Sequence, residues 1–161
     1  MAKIAVIVGS VREGRVTDKL ANWVAKEVGK VAEVEVVDLK DYPLPIFAEP
    51  ASPRFSPDYN PVPEAKKWIE KIGSFDGYAI VTAEYNRAMP GVLKNAFDYL
   101  DNSVVDKPAA LIGHGTTGGS QAVASLRISL PGNGIVTLPN ALFFSDAVGA
   151  AIDDEGMLKA E

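Results

Sequence analysis

Three short stretches of this chain, residues 4–8, 78–83 and 109–113, are apolar at nearly every position rather than at every second one. Alternation marks a strand with one wet face. A continuous apolar run of this length marks a strand covered on both faces, as in a parallel sheet flanked by helices. Residues 34–39 and 142–144 read as two further strands. Helical patterns lie between them. Leu20, Val24 and Val28 recur at a spacing of four with Trp23 beside them, and Thr17 or Asp18 is placed to cap that helix. Ala65, Trp68, Ile69 and Ile72 form a second stripe, begun by Pro63 and Glu64 in the way helices prefer to start. Pro90 opens a third helix carrying Leu93, Ala96, Phe97 and Leu100, and residues 120–130 form a fourth with Ala122, Val123 and Leu126 on one side. The alternation of strand and helix predicts an α/β fold with right-handed crossovers, built as one domain over residues 1–161.

Two features interrupt the pattern. Residues 42–63 hold seven prolines (Pro43, Pro45, Pro50, Pro53, Pro57, Pro61 and Pro63), a density no helix interior tolerates. That stretch is expected to be a long ordered loop or arm, and such loops usually serve function or partner contacts. A fifth helix is expected after the last strand, yet residues 149–161 have little amphipathic length, so the final helix is missing from the pattern.

Composition excludes several kinds of chemistry. There is no cysteine, so disulfides, thiolate catalysis and thiolate metal sites are ruled out. His114 is the only histidine, which leaves at most an all-oxygen metal site. The net charge of −5 argues against a general nucleic-acid partner, while leaving room for a local basic pocket on a phosphate. No stretch resembles a signal peptide or approaches the length of a membrane helix, so a cytoplasmic protein without a membrane partner is expected.

In an open α/β sheet, ligands bind beyond the carboxyl ends of the strands. The loop there after the first strand is Gly9-Ser10-Val11-Arg12-Glu13-Gly14-Arg15-Val16-Thr17. Its glycines, hydroxyls, arginines and following helix N-terminus suit an anion such as phosphate. The spacing of Gly9 and Gly14 nearly makes a nucleoside-triphosphate loop, but Arg15 and Val16 stand where lysine and a hydroxyl residue are needed, and valine cannot hold magnesium. A dinucleotide glycine fingerprint is also absent, which leaves Asp38 alone as a ribose-binding acid. The loop after the third strand carries Glu84, Tyr85 and Asn86, an aromatic wall with polar neighbours for the edge of a flat ring. The loop after the fourth, residues 113–120, has four glycines that permit close backbone approach to a flat ligand. Each loop alone also admits a plain structural reading: solvated arginines in a turn, a packed Tyr85, a turn-forming Asn86. His114, with no carboxylate nearby in sequence, is read as positional rather than as an acid–base catalyst.

Gly9-Ser10-x-Arg12, then Glu84-Tyr85-Asn86 followed by Pro90-Gly91-x-Leu93-Lys94-Asn95-Ala96-x-Asp98-Tyr99-Leu100, then Gly115-x-x-Gly118-Gly119 resembles the NAD(P)H-dependent FMN reductase family, from residue 3 to about 145. The resemblance implies a flavodoxin-like three-layer αβα sandwich with strand order 2-1-3-4-5 and an enzyme passing hydride from NADPH or NADH through FMN to a quinone, flavin or similar acceptor by ping-pong exchange. It implies that Ser10, Arg12, Arg15, Val16 and Thr17 hold the FMN phosphate and that Glu84, Tyr85 and Asn86 line the isoalloxazine, largely through backbone atoms. Gly115, Thr116 and Gly118 would meet the pyrimidine side, with no catalytic side chain and no metal. Arg15 would also be placed to favour NADPH through its 2′-phosphate. It further implies a homodimer or homotetramer with residues 93–100 in the subunit contact. Ala83 and His114 depart from the family, which usually has proline and a small or hydroxyl residue there. The alternative is a flavodoxin-type electron carrier without substrate turnover, and a further one is a member that no longer binds flavin.

Overall fold

The computed structural model describes residues 1–145 and 147–159. Five parallel strands form one sheet in the order β2-β1-β3-β4-β5. They are β1 Lys3–Val8, β2 Glu33–Asp38, β3 Gly77–Ala83, β4 Pro108–His114 and β5 Val136–Phe144. The strands are joined by α1 Thr17–Val28, α2 Pro63–Gly73, α3 Gly91–Asp98 and α4 Ser120–Ser129. The strand order reverses between β1 and β3, which places a crevice beyond their carboxyl ends.

Alternate residues of the apolar strands feed two cores. Ala5, Ile7, Tyr78, Ile80, Ala109 and Leu111 face α2, α3 and α4 through Trp68, Leu93, Phe97 and Leu126. Val6, Val8, Ala79, Val81 and Ile112 face α1 through Leu20, Ala21 and Val24. Every residue of β3 is buried, as its unbroken apolar run requires.

The arm over residues 42–63 is ordered by a few specific contacts rather than by regular structure. Asn95 on α3 clamps it from both directions: its Nδ2 donates to the Pro45 carbonyl and its Oδ1 accepts the Phe47 N–H, each at 2.8 Å. Phe47 stacks edge-on against Tyr99 and Tyr42 against Trp68. Farther along, Asn102 exchanges hydrogen bonds with Arg54, its Nδ2 donating to the Arg54 carbonyl and its Oδ1 accepting from Nε.

One expectation changes. The last strand is longer than residues 142–144: β5 runs Val136–Phe144, with a register irregularity opposite Ala109 and Leu111. Pro139 and Asn140 broke the apolar run, yet an edge strand tolerates proline where no ladder partner is needed. After β5 the final helix is missing among the described residues, as the pattern implies, and a single helical turn, α5 Val148–Ala151, follows instead. The chain then returns antiparallel, bridging Ile152 to Leu158. Val148 and Ile152 bury themselves against the α1 core, Lys19 pairs with Asp154 at 2.6 Å, and the Trp23 and Phe144 rings meet edge-on. A turn and a short return thus cover part of that sheet face; residues 160 and 161 lie outside the described residues.

Candidate functional site

The loops after β1, β3 and β4 meet at the crevice. Ser10, fully buried, shares a 2.7 Å hydrogen bond with the Tyr85 hydroxyl and accepts the Arg12 N–H at 3.3 Å. The exposed Arg12 guanidinium stacks over the Tyr85 ring at 5.6 Å. The structure therefore brings the expected phosphate loop and the expected ring-binding loop into direct contact.

Arg15 is placed differently from the expectation of a phosphate grip. Its side chain is only 5% exposed and forks onto Asp38, with Nη1 donating to Oδ1 at 2.9 Å and Nη2 to Oδ2. Nε donates to Asp18 at 3.3 Å and Nη1 also to the Ser10 carbonyl. Burial works against the Arg15 charge, but the Asp38 and Asp18 carboxylates more than offset it and hold its pKa above the ordinary value. Asp38 is thereby committed to Arg15 and to the Lys40 N–H rather than offered to a ribose.

Neither Thr17 nor Asp18 caps α1. Val16 occupies the cap position with no side-chain hydrogen bond to the helix end. Thr17 is diverted because its hydroxyl, fully buried, is bound to His114 Nε2 at 2.8 Å, and Asp18 because its carboxylate is held by Arg15 and the Lys19 N–H. The Val16 side chain packs on Gly149 of the final turn. A helix leaves its first four N–H groups without partners inside the helix; Asp18 accepts that of Lys19, and the others at this start without a side-chain cap suit an anion.

The segment Tyr85-Asn86-Arg87-Ala88 is a two-residue hairpin. Tyr85 and Ala88 exchange backbone hydrogen bonds at 3.0 and 3.1 Å, and Asn86 and Arg87 both take left-handed conformations, at φ 51° and 68°. Such a turn favours glycine at its second tip position, so Arg87 holds local strain. Asn86 makes the turn that its residue type allows, and it is exposed at the crevice.

The Glu84 carboxylate serves a purpose that the sequence did not reveal. It accepts the Thr117 hydroxyl at 2.6 Å and the N–H groups of Gln121 and Ala122 at 2.9 and 3.4 Å. It therefore caps α4 from another loop, because that helix begins at Gly119 without a side chain. Partial burial opposes the Glu84 charge, but the Thr117, Gln121 and Ala122 hydrogen bonds and the Arg87 charge hold its pKa below the ordinary 4.5. A lowered native pKa means that this cap contributes fully above pH 4.5 and is lost as pH falls through the native value. Glu84→Gln is expected to remove that part of the acid dependence, read as a flatter plot of unfolding midpoint against pH below 4.5. An unchanged plot would remove Glu84 from the acid response.

In the third loop, Gly118 N–H bonds the Gly115 carbonyl at 2.8 Å, turning the chain over Thr116 and Thr117, while Gly115 N–H reaches Phe144. Gly119 takes a left-handed φ of 76°, and a Cβ there would lie 2.4 Å from the His114 nitrogen. Only glycine lets α4 begin this close to the end of β4. The donor set fits a flat phosphorylated ligand such as FMN: uncapped α1 N–H groups at one end and a glycine-lined loop at the other. Among the described residues there is no cluster of metal-ligating side chains, and no helix is long and apolar enough to cross a membrane.

Comparison with known proteins gives the site a context. Residues 2–149 match the profile of a family described as NADPH-dependent FMN reductase. The chain is 39% identical over 136 residues to an NAD(P)H-dependent FMN reductase of Nectria sp, covering 81% of this chain and 68% of that one. It is 40% identical over 118 residues to a 2-hydroxy-1,4-benzoquinone reductase of Burkholderia sp, covering 69% of this chain and 59% of that one. The chain thus spans about two thirds of the length of these relatives. Its fold superposes on the flavoenzyme NAD(P)H:(acceptor) oxidoreductase of Paracoccus denitrificans with a TM-score of 0.77 and 29% identity, over 98% of this chain and 86% of that one.

Proposed function

The chain belongs to the NADPH-dependent FMN reductase family, and from that premise we propose an oxidoreductase that takes electrons from NAD(P)H and passes them through FMN to a small acceptor. A quinone or a flavin is the acceptor class that its relatives support. Donor and acceptor would use the same crevice in turn, a ping-pong exchange. The observation that carries this reading is the meeting of three loops at the sheet's switch point, with an uncapped helix N-terminus among them.

FMN, when bound, supplies the hydride chemistry. The protein's residues supply binding and orientation. The first N–H groups of α1, at Val16 and Thr17, and the exposed Arg12 hold the phosphate. Ser10 acts by fixing Tyr85 and the Arg12 N–H through its hydroxyl. Arg15 shapes the same loop from within, tied to Asp38, rather than touching the phosphate or a nicotinamide nucleotide. The main chain of Glu84, Tyr85 and Asn86 borders the ring, and Gly115, Thr116 and Gly118 meet its pyrimidine edge, where the glycines let the backbone approach closely. No side chain of the site has to transfer a proton. Assembly as a homodimer or homotetramer belongs to the same proposal and is supported by the family alone.

The test is to load the protein with FMN and add NADPH without oxygen. Rapid bleaching of bound flavin supports the enzyme; bound flavin that stays oxidised supports an electron carrier; no bound flavin overturns both. Arg12→Ala is expected to weaken FMN binding about tenfold while leaving the unfolding midpoint within error, since Arg12 is exposed, its guanidinium lies over the Tyr85 ring, and its backbone bond to Ser10 survives the substitution. Unchanged affinity would remove Arg12 from the phosphate.

A further inference from the structure

The N-terminus of α1 is held at two points that straddle β1. On one side Arg15 reaches the end of β2 at Asp38. On the other, Thr17 reaches past β3 to the end of β4, where its hydroxyl meets His114 Nε2 at 2.8 Å. Thr17 is completely buried and His114 is 6% exposed, so the link is shielded from competing water. His114 is itself fixed in place by its backbone. It stands in register with Ala83 of β3 and Phe144 of β5. Its carbonyl accepts the Glu84 N–H at 2.9 Å, and Gly119 closes directly on its nitrogen.

We infer that His114 is a positioning residue for the phosphate end of the flavin site, acting through Thr17. The link sets the start of α1 in register with the third loop, Gly115 to Gly119. In this arrangement the Thr17 side chain is engaged by His114, and its influence on the phosphate runs through the start of α1 that it anchors. The two ends of a flavin mononucleotide, phosphate and pyrimidine edge, then meet two protein surfaces whose separation this buried hydrogen bond helps to set. This rests on the flavin reading above.

Riboflavin carries the same ring without the phosphate, so the ratio of FMN to riboflavin affinity isolates the phosphate end. In His114→Ala that ratio is expected to fall about tenfold, with riboflavin affinity changed less than twofold. His114→Gln, which offers an amide in place of the ring nitrogen, is expected to restore the ratio to within about twofold of the wild type. Thr17→Val is expected to match the loss of His114→Ala, and the double variant to lose no more than either single one. An unchanged ratio in His114→Ala would overturn the inference, as would losses that add in the double variant, since addition would give the Thr17 hydroxyl its own contact with phosphate. If His114→Ala does not fold, as judged by its thermal transition, the ratio in Thr17→Val decides in the same sense. Wild-type protein that binds neither ligand overturns the flavin reading itself. Wild-type binding with unchanged ratios overturns only the role of His114.

Discussion

Gly119→Ala is expected to destabilise the fold by at least about 3 kcal/mol and to abolish FMN binding at concentrations that saturate the wild type. Two costs combine at this position. A side chain is strained at a φ of +76°, and the added Cβ would sit 2.4 Å from the His114 nitrogen and 2.5 Å from the Gly113 carbonyl carbon. These obstacles are backbone atoms of a strand held on both sides, so they cannot swing aside as a flexible side chain would. The loop has to retreat instead, and with it the N-terminus of α4 that Glu84 caps. Urea unfolding followed by circular dichroism measures the first effect and flavin fluorescence the second. A midpoint equal to that of the wild type would mean that the third loop is not wedged against β4 as described.

The second large effect is expected at Trp68. Its side chain is the largest fully buried one, and its indole N–H donates to the Ala96 carbonyl at 2.7 Å. Trp68→Ala leaves a cavity between α2, α3 and the sheet and is expected to cost about 3–5 kcal/mol. Trp68→Phe fills most of the volume but leaves the Ala96 carbonyl without its donor, and about 1–2 kcal/mol is expected from that alone. The two variants should thus rank clearly in urea midpoint. Tyr42 also loses its ring partner in Trp68→Ala, so the start of the arm should become more open to protease. Equal midpoints for the two variants would mean that the indole hydrogen bond, rather than volume, governs this part of the core.

The parts of this architecture that could be read in the sequence are those governed by local pattern. Continuous apolar runs identify β1, β3 and β4 because burial on both faces leaves no room for alternation. Pro63 and Pro90 mark the starts of α2 and α3 because a helix start has no use for the missing N–H. Features set by distant partners stayed hidden. The partner of Arg15 is Asp38, 23 residues away, and no local rule separates an arginine that grips a ligand from one that grips the neighbouring strand. The cap of α4 comes from Glu84, 37 residues before Gln121, whereas cap rules look only at adjacent positions. Thr17 had the right residue type for a cap and was claimed by a histidine 97 residues on. The chemistry-bearing loops were therefore legible as a group, while the division of labour inside them was not.

The arm carries a consequence for how such a protein can diversify. Asn95 reads only main-chain atoms of the arm, the carbonyl of Pro45 and the N–H of Phe47. These two hydrogen bonds place no demand on the side chain at position 45 and exclude only proline at position 47, where the ring contact of Phe47 with Tyr99 is a separate tie. Outside Tyr42, Phe47 and Arg54, whose side chains make their own contacts, the segment can thus exchange residues while keeping its attachment to the body. In evolutionary terms it is a replaceable module on a fixed fastening, free to drift in surface chemistry while the strands and helices beneath it stay constrained by their packing.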